Sequence, residues 1–267
     1  MKQLMKMSLV VMVSIGLSLS ACKKQDSTED SELVSSEDQS QGETNYDQVF
    51  KEVDGASTDV GMKKGGYPVI TIDSNATPRT MRINYGAVNY LCKDGNYRRG
   101  IILVNWTGKY KSDGTVINIG FDNFYQNDNY IEGTKSITNN GRNAQGKMSF
   151  TIVVNGKITT ASAETHSWNS NRTRTWLAGE ETKEWNDDIY EITGTTSGKN
   201  RKGLSYNATI IKPIRADLSC QFRFVSGIIE LTPEGKSKRT IDFGTGACDN
   251  QVTVTMNGKS HVITKKR

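Results

Sequence analysis

Histidine is almost missing from this chain: His166 and His261 are the only two. Neither has a Ser or Cys motif beside it, so a nucleophile activated by histidine has no support in the sequence. The G-x-S-x-G, H-E-x-x-H, P-loop and EF-hand patterns are absent, and no two potential zinc ligands fall at the usual close spacing. Neither a cofactor nor a metal is therefore expected. Proline occurs four times, and long helical periodicity is missing, which points to an all-β chain. No stretch reaches the roughly 20 apolar residues that a permanent transmembrane helix needs. Lysine and arginine are scattered (Arg98-Arg99, residues 199–202, residues 236–239) rather than gathered in one block. That scatter reads as a solvated surface, and no nucleic-acid partner is expected.

What is present begins at the N-terminus. Lys2 and Lys6 precede a nearly apolar stretch over residues 7–19, and small residues follow. These are the parts of a secretory signal. Its end, Leu19-Ser20-Ala21-Cys22, resembles the lipobox of bacterial lipoproteins. The resemblance implies removal of residues 1–21 and attachment of diacylglycerol and a palmitate-type acyl chain to Cys22. Two or more chains anchor stably, so Cys22 is the expected tether to the outer membrane. The domain would then face the periplasm or the cell surface. Asp26, Glu29, Asp30 and Glu32 form a loose version of the acidic signal for surface display, interrupted by Lys23-Lys24.

Charge divides the rest of the chain. Residues 22–58 hold 3 Lys and Arg against 10 Asp and Glu, and residues 59–267 hold 29 against 19. The first segment reads as an acidic flexible tether, too poor in apolar residues to offset its ordering entropy, with a short helix near 45–54. Tyr46, Val49, Phe50 and Val53 fall at i, i+3, i+4 and i+7 there, giving one apolar face to dock on the domain that follows. Thr44 suits the start of that helix and Gly55 its end.

Residues 59–267 read as one basic all-β domain. Val252, Val254 and Met256 alternate with polar neighbours, and five Asn-Gly or Asp-Gly pairs at 94, 113, 140, 155 and 257 suit two-residue hairpin turns. The expectation is a long antiparallel meander forming a strongly curved sheet or partly open barrel, with a two-layer sandwich as the alternative. Two echoes recur. Ile83-Asn84-Tyr85-Gly86 returns as Ile241-Asp242-Phe243-Gly244, and a G-x-N-x-x-G loop at 141–146 returns at 198–203. Duplication explains them, as does a corner turned the same way twice. With Cys22 committed to lipid, Cys92, Cys220 and Cys248 allow at most one internal bridge. Cys220 with Cys248 is the favoured pair, worth roughly 3–4 kcal/mol by loop entropy.

Several of these runs together carry a resemblance. They are Arg79-Thr80 to Gly86, Cys92 to Gly100, Phe121-Asp122-Asn123-Phe124 with Glu132-Gly133-Thr134, and residues 240–250 with their Gly-x-Gly-x-Cys-Asp-Asn ending. They resemble a family of uncharacterised Bacteroidota lipoproteins, which implies export, lipidation and a β-rich domain and assigns no activity.

For function, the tryptophans are the best pointer. On a strand over 166–177, Trp168, Arg172, Arg174 and Trp176 share one face, suited to an acidic glycan or a lipid head group, or to a polar outer face with cation–π pairs. The leading expectation is a non-enzymatic binding or structural module of the cell envelope, held at the membrane through Cys22. One alternative is a lipid or hydrophobic-ligand carrier using the inside of a curled sheet. Another is a glycan-acting hydrolase with acidic residues (Glu180-Glu181, Asp187-Asp188) near Trp176 and Trp185.

Overall fold

The computed structural model describes residues 30–58, 68–109, 111–182 and 184–264. The signal segment, Cys22 and the side chain of Trp185 lie outside the described residues. Among the described residues one α-helix, α1 (Val34–Thr58), precedes fourteen strands. These are β1 (Val69–Asp73), β2 (Arg79–Asn84), β3 (Tyr90–Leu91), β4 (Tyr97–Trp106), β5 (Val116–Gln126), β6 (Asn129–Arg142) and β7 (Met148–Thr159). Then come β8 (Thr165–Ala178), β9 (Ile189–Lys199), β10 (Ser205–Asp217), β11 (Phe224–Pro233), β12 (Arg239–Thr245), β13 (Gln251–Met256) and β14 (Lys259–Thr264).

All fourteen strands form one antiparallel sheet in chain order, with β3 pairing only β4. The sheet is an open meander, so the expected all-β fold holds and the two-layer alternative does not. Its two edges are β1 and β14. A flat sheet can cover a helix along one face only. Here every α1 residue from Val34 to Ala56 is buried or half-buried, so the sheet wraps the helix on its concave side. Inward residues of successive strands (Ile83, Ile102, Ile119, Ile131, Phe150, Ile229, Ile241 and Val254 among them) make one core with Tyr46, Val49, Phe50 and Val53 of α1.

Turn chemistry explains the meander. Asn127 and Asp128 both adopt positive φ (49° and 61°), the geometry of a tight hairpin between β5 and β6. Of the five Asn-Gly and Asp-Gly pairs, those at 94, 113 and 257 lie in connections, but Asn140-Gly141 and Asn155-Gly156 lie within β6 and β7. Asn140-Gly141 falls in a bulge where register shifts against β7. Gly156 serves packing instead: a Cβ there would sit 2.2 Å from the Tyr46 hydroxyl of α1. The repeated loop is the same corner turned twice. Asn143 and Asn200 each accept two backbone N–H bonds with their side-chain oxygen, and Gly146 and Gly203 each donate their N–H to that asparagine's carbonyl.

The acidic tether is the main correction. Over residues 34–44 the chain is helix with one face buried rather than a flexible leash, continuous with the apolar stretch that the spacing identifies. Thr44 does not cap a start; its hydroxyl donates to the Ser40 carbonyl inside the helix. The true start is capped by Glu32, whose carboxylate accepts from the Ser35 N–H at 2.7 Å. Composition argued for disorder because the compensating charges come from strands far downstream.

The disulfide joins Cys220, between β10 and β11, to Cys248, between β12 and β13. Cys92 forms no disulfide among the described residues.

Candidate functional site

β8 alternates buried and open residues along its whole length, because one face of a strand meets the core and the other meets solvent. Trp168, Arg172, Arg174 and Trp176 do share a face, and it is the inner one: each is at most 5% exposed. An outward ligand face is therefore not what these residues form. They are turned toward α1 together with four more cations, Arg98 on β4, Lys135 on β6, Arg223 just before β11 and Arg239 on β12, all buried.

The acidic partners lie along α1 and the residues just before it, and all but Asp47 meet the sheet in reverse strand order. Arg239 binds Asp30 at 2.8 Å and Glu32 at 2.6 Å. Asn200 donates to the Ser35 hydroxyl at 2.9 Å, and Arg201 pairs with Asp38 at 2.6 Å while its backbone N–H donates to the same carboxylate. On β8, Trp168 Nε1 donates to Gln39 at 3.0 Å, His166 Nε2 meets Gln41 at 3.0 Å, and Arg172 pairs with Glu43. The Tyr46 hydroxyl donates to the Glu132 carbonyl on β6, and Gln126 on β5 donates to Asn45 and Gln48. At the far end Arg98 grips Asp94 with two bonds and stands 3.5 Å from Glu52. Arg223 reaches in from the β10–β11 connection to Asp47 at 2.5 Å. Lys135 Nζ donates to the Tyr46 carbonyl at 2.7 Å.

Aromatic rings fill the spaces between these charges. Tyr46 stacks on Trp168 with centroids 5.5 Å apart, and the Arg174 guanidinium lies 4.3 Å from the Phe50 centroid and 4.5 Å from that of Tyr190. Gly42 of α1 passes over the Trp168 ring so closely that a Cβ would fall 2.4 Å from its Cγ.

Burial perturbs the ionisable groups of this interface. It pushes Asp38 up to about 6 against the pull of Arg201, and raises Glu43 despite the Arg172 guanidinium beside it. It lowers Lys135 to about 7, and lowers His166 to about 4 with help from Arg201. Asp94 goes the other way: burial is outweighed by the Arg98 hydrogen bonds, which hold it at about 2.

A cleft of about 940 Å³ runs along the less buried flank of α1. Glu37, Gln41, Thr44 and Gln48 form its helical wall, facing the β5–β6 and β7–β8 turns, Arg201 and the end of β14.

The acidic residues near the tryptophans do not converge on a cleft of this kind. Asp188 accepts from Trp176 Nε1 at 2.9 Å and from the Tyr190 hydroxyl at 3.0 Å, and burial raises it to about 6 in spite of those bonds. Glu180 pairs with Arg142 at 2.5 Å, and Asp187 accepts from Thr182 within the turn that Trp185–Asp187 make. Among the described residues no cluster of three or more His, Cys, Asp or Glu is placed to hold a metal ion.

The scattered lysines and arginines read as a solvated surface, but Arg98 and Arg239 among them are fully buried. A signal existed. Arg239 keeps phase with Ile241 and Phe243, Lys135 with Ile131 and Ile137, and Arg172 and Arg174 with the two tryptophans. A cation in the apolar phase of a strand calls for a buried counter-charge. No protein-family model, curated protein or solved structure matches the chain.

Proposed function

We propose that this protein is a non-enzymatic binding module of the cell envelope, tethered to the membrane through lipid on Cys22 and built to recognise acidic groups. The observation that carries the recognition half is the gathering of Arg98, Lys135, Arg172, Arg174, Arg223 and Arg239 onto one concave face around an acidic segment. Desolvating that many cations is costly unless carboxylates meet them, so the face is selective for acids rather than merely apolar. The anchoring half is supported by the Leu19-Ser20-Ala21-Cys22 match and the signal before it.

The carrier reading is less well supported, because α1 fills the concavity that a carrier would load. The hydrolase reading loses support because Asp188 and Glu180 are committed to Trp176, Tyr190 and Arg142.

Radiolabelled palmitate and membrane fractionation test the anchor: label and membrane association should both vanish in Cys22→Ser. Saturable binding of the purified chain to an acidic probe, namely polyglutamate, oligogalacturonate or phosphatidylglycerol vesicles, is the expected result for the domain. Turnover of a glycan, or indifference to all three probes, would overturn this reading.

A further inference from the structure

We infer that the groove occupied by residues 30–45 is a docking site for an acidic helix of a partner polypeptide, with the chain's own segment as the resident competitor. The inference rests on reading the chain as a binding module and names the class of partner.

The two halves of α1 are held by different forces. Tyr46, Val49, Phe50, Val53 and Ala56 bury apolar side chains in the core. From Ser35 to Asn45 every buried side chain is polar: Ser35, Ser36, Asp38, Gln39, Ser40, Glu43 and Asn45. Hydrogen bonds and ion pairs are exchanged against water or another polar partner, whereas apolar burial has no such substitute. The first half is therefore the replaceable one, and the second half keeps the sheet filled when the first departs.

The resident segment also leaves part of the groove unused. Ser170 Oγ, Tyr206 OH, His166 Nδ1 and two nitrogens of Arg172 (Nε and Nη1) are buried without a hydrogen-bond partner among the described residues. All line the stretch of sheet facing residues 36–43, which already includes the pairs to Gln39, Gln41 and Glu43. A sequence that reached these groups would make hydrogen bonds that residues 36–43 do not make. The cleft beside Glu37, Gln41 and Thr44 brings solvent and any competitor to the same half of the helix.

The groove also selects shape. Trp168 lies flat against Gly42, so the guest is a helix with a small residue at that point. Asp38 and Glu43 fix the remaining requirement: one carboxylate four residues before the small position for Arg201, and one just after it for Arg172.

The test uses the full chain in detergent and a fluorescein-labelled peptide of residues 30–45, followed by anisotropy. In Gly42→Leu the resident segment meets the Trp168 ring, so the groove opens and the peptide should bind about tenfold tighter than to the unsubstituted chain. A peptide with its carboxylates changed to amides should not bind. Hydrogen exchange on the unsubstituted chain guards against a misfolded variant: amides of 34–45 should exchange faster than those of 46–56, and faster still as salt rises. Equal protection of both halves, or no peptide binding to either chain, would sink the inference. Oligogalacturonate binding where the peptide fails would also overturn it, while leaving the binding-module reading intact.

Discussion

Arg172 stands where the apolar phase of a strand would place isoleucine, and Glu43 is the reason it can. Removing one member of such a pair strands the other in the core, at a cost of about 3–5 kcal/mol. Arg172→Met should lose that much in urea denaturation, and adding Glu43→Leu should restore most of it, since two apolar side chains no longer need each other's charge. The buried titrating groups give pH signatures. His166 is neutral in the folded state down to about 4, against 6.5 when unfolded, so the unfolded chain binds the extra proton and stability falls as pH drops through that window. Asp38 has the opposite slope: the folded state keeps a proton up to about 6, against 3.8 unfolded, so this contribution is lost as pH rises through that range. In thermal scans His166→Asn should therefore gain on the unsubstituted protein as the medium is acidified from pH 6 to 4; parallel curves would refute a buried neutral imidazole. Lys135, lowered from 10.5 to about 7, makes stability climb with pH between those values, and Lys135→Met should flatten the climb.

At the scale of elements, α1 holds two glycines whose surroundings predict opposite results. Gly55→Ala meets nothing within 4 Å and should gain up to about 1 kcal/mol of helix propensity. Gly42→Ala receives the same propensity but drives a methyl into Trp168, and overpacking of about 1–3 kcal/mol should outweigh it. Urea midpoints in the order Gly55→Ala, unsubstituted, Gly42→Ala would verify this. The strands were largely legible because period-two alternation and turn residues are local signals. The second half of α1 was legible for the same reason, since Tyr46, Val49, Phe50 and Val53 mark one helical face. Its first half was not, because nothing local distinguishes a buried polar helix from a solvated acidic run. The deciding partners lie 129 residues away for Glu43 and 209 for Asp30. The tryptophan–arginine face was legible as a face, but its direction was not. Inside and outside differ only in where the counter-charge sits, and that charge belongs to another element.

At the scale of the whole fold, the sheet has two open edges and, among the described residues, one disulfide. Breaking Cys220–Cys248, 28 residues apart, by paired serine substitution should cost about 3 kcal/mol, read as a shift in the denaturation midpoint. The loss should fall on β10–β13, which that bridge ties together. The reverse-order docking of α1 has a mechanical meaning if Cys22 is held by lipid. Tension from the membrane would enter the fold at Asp30 and Glu32 on β12, and load the Arg239, Arg201 and Arg172 contacts one after another rather than all at once. Peeling residues 34–45 from helix to extended chain lengthens the tether by roughly 20 Å before the apolar half is strained. The acidic segment would then be stored reach, paid out stepwise under pull and rewound at rest.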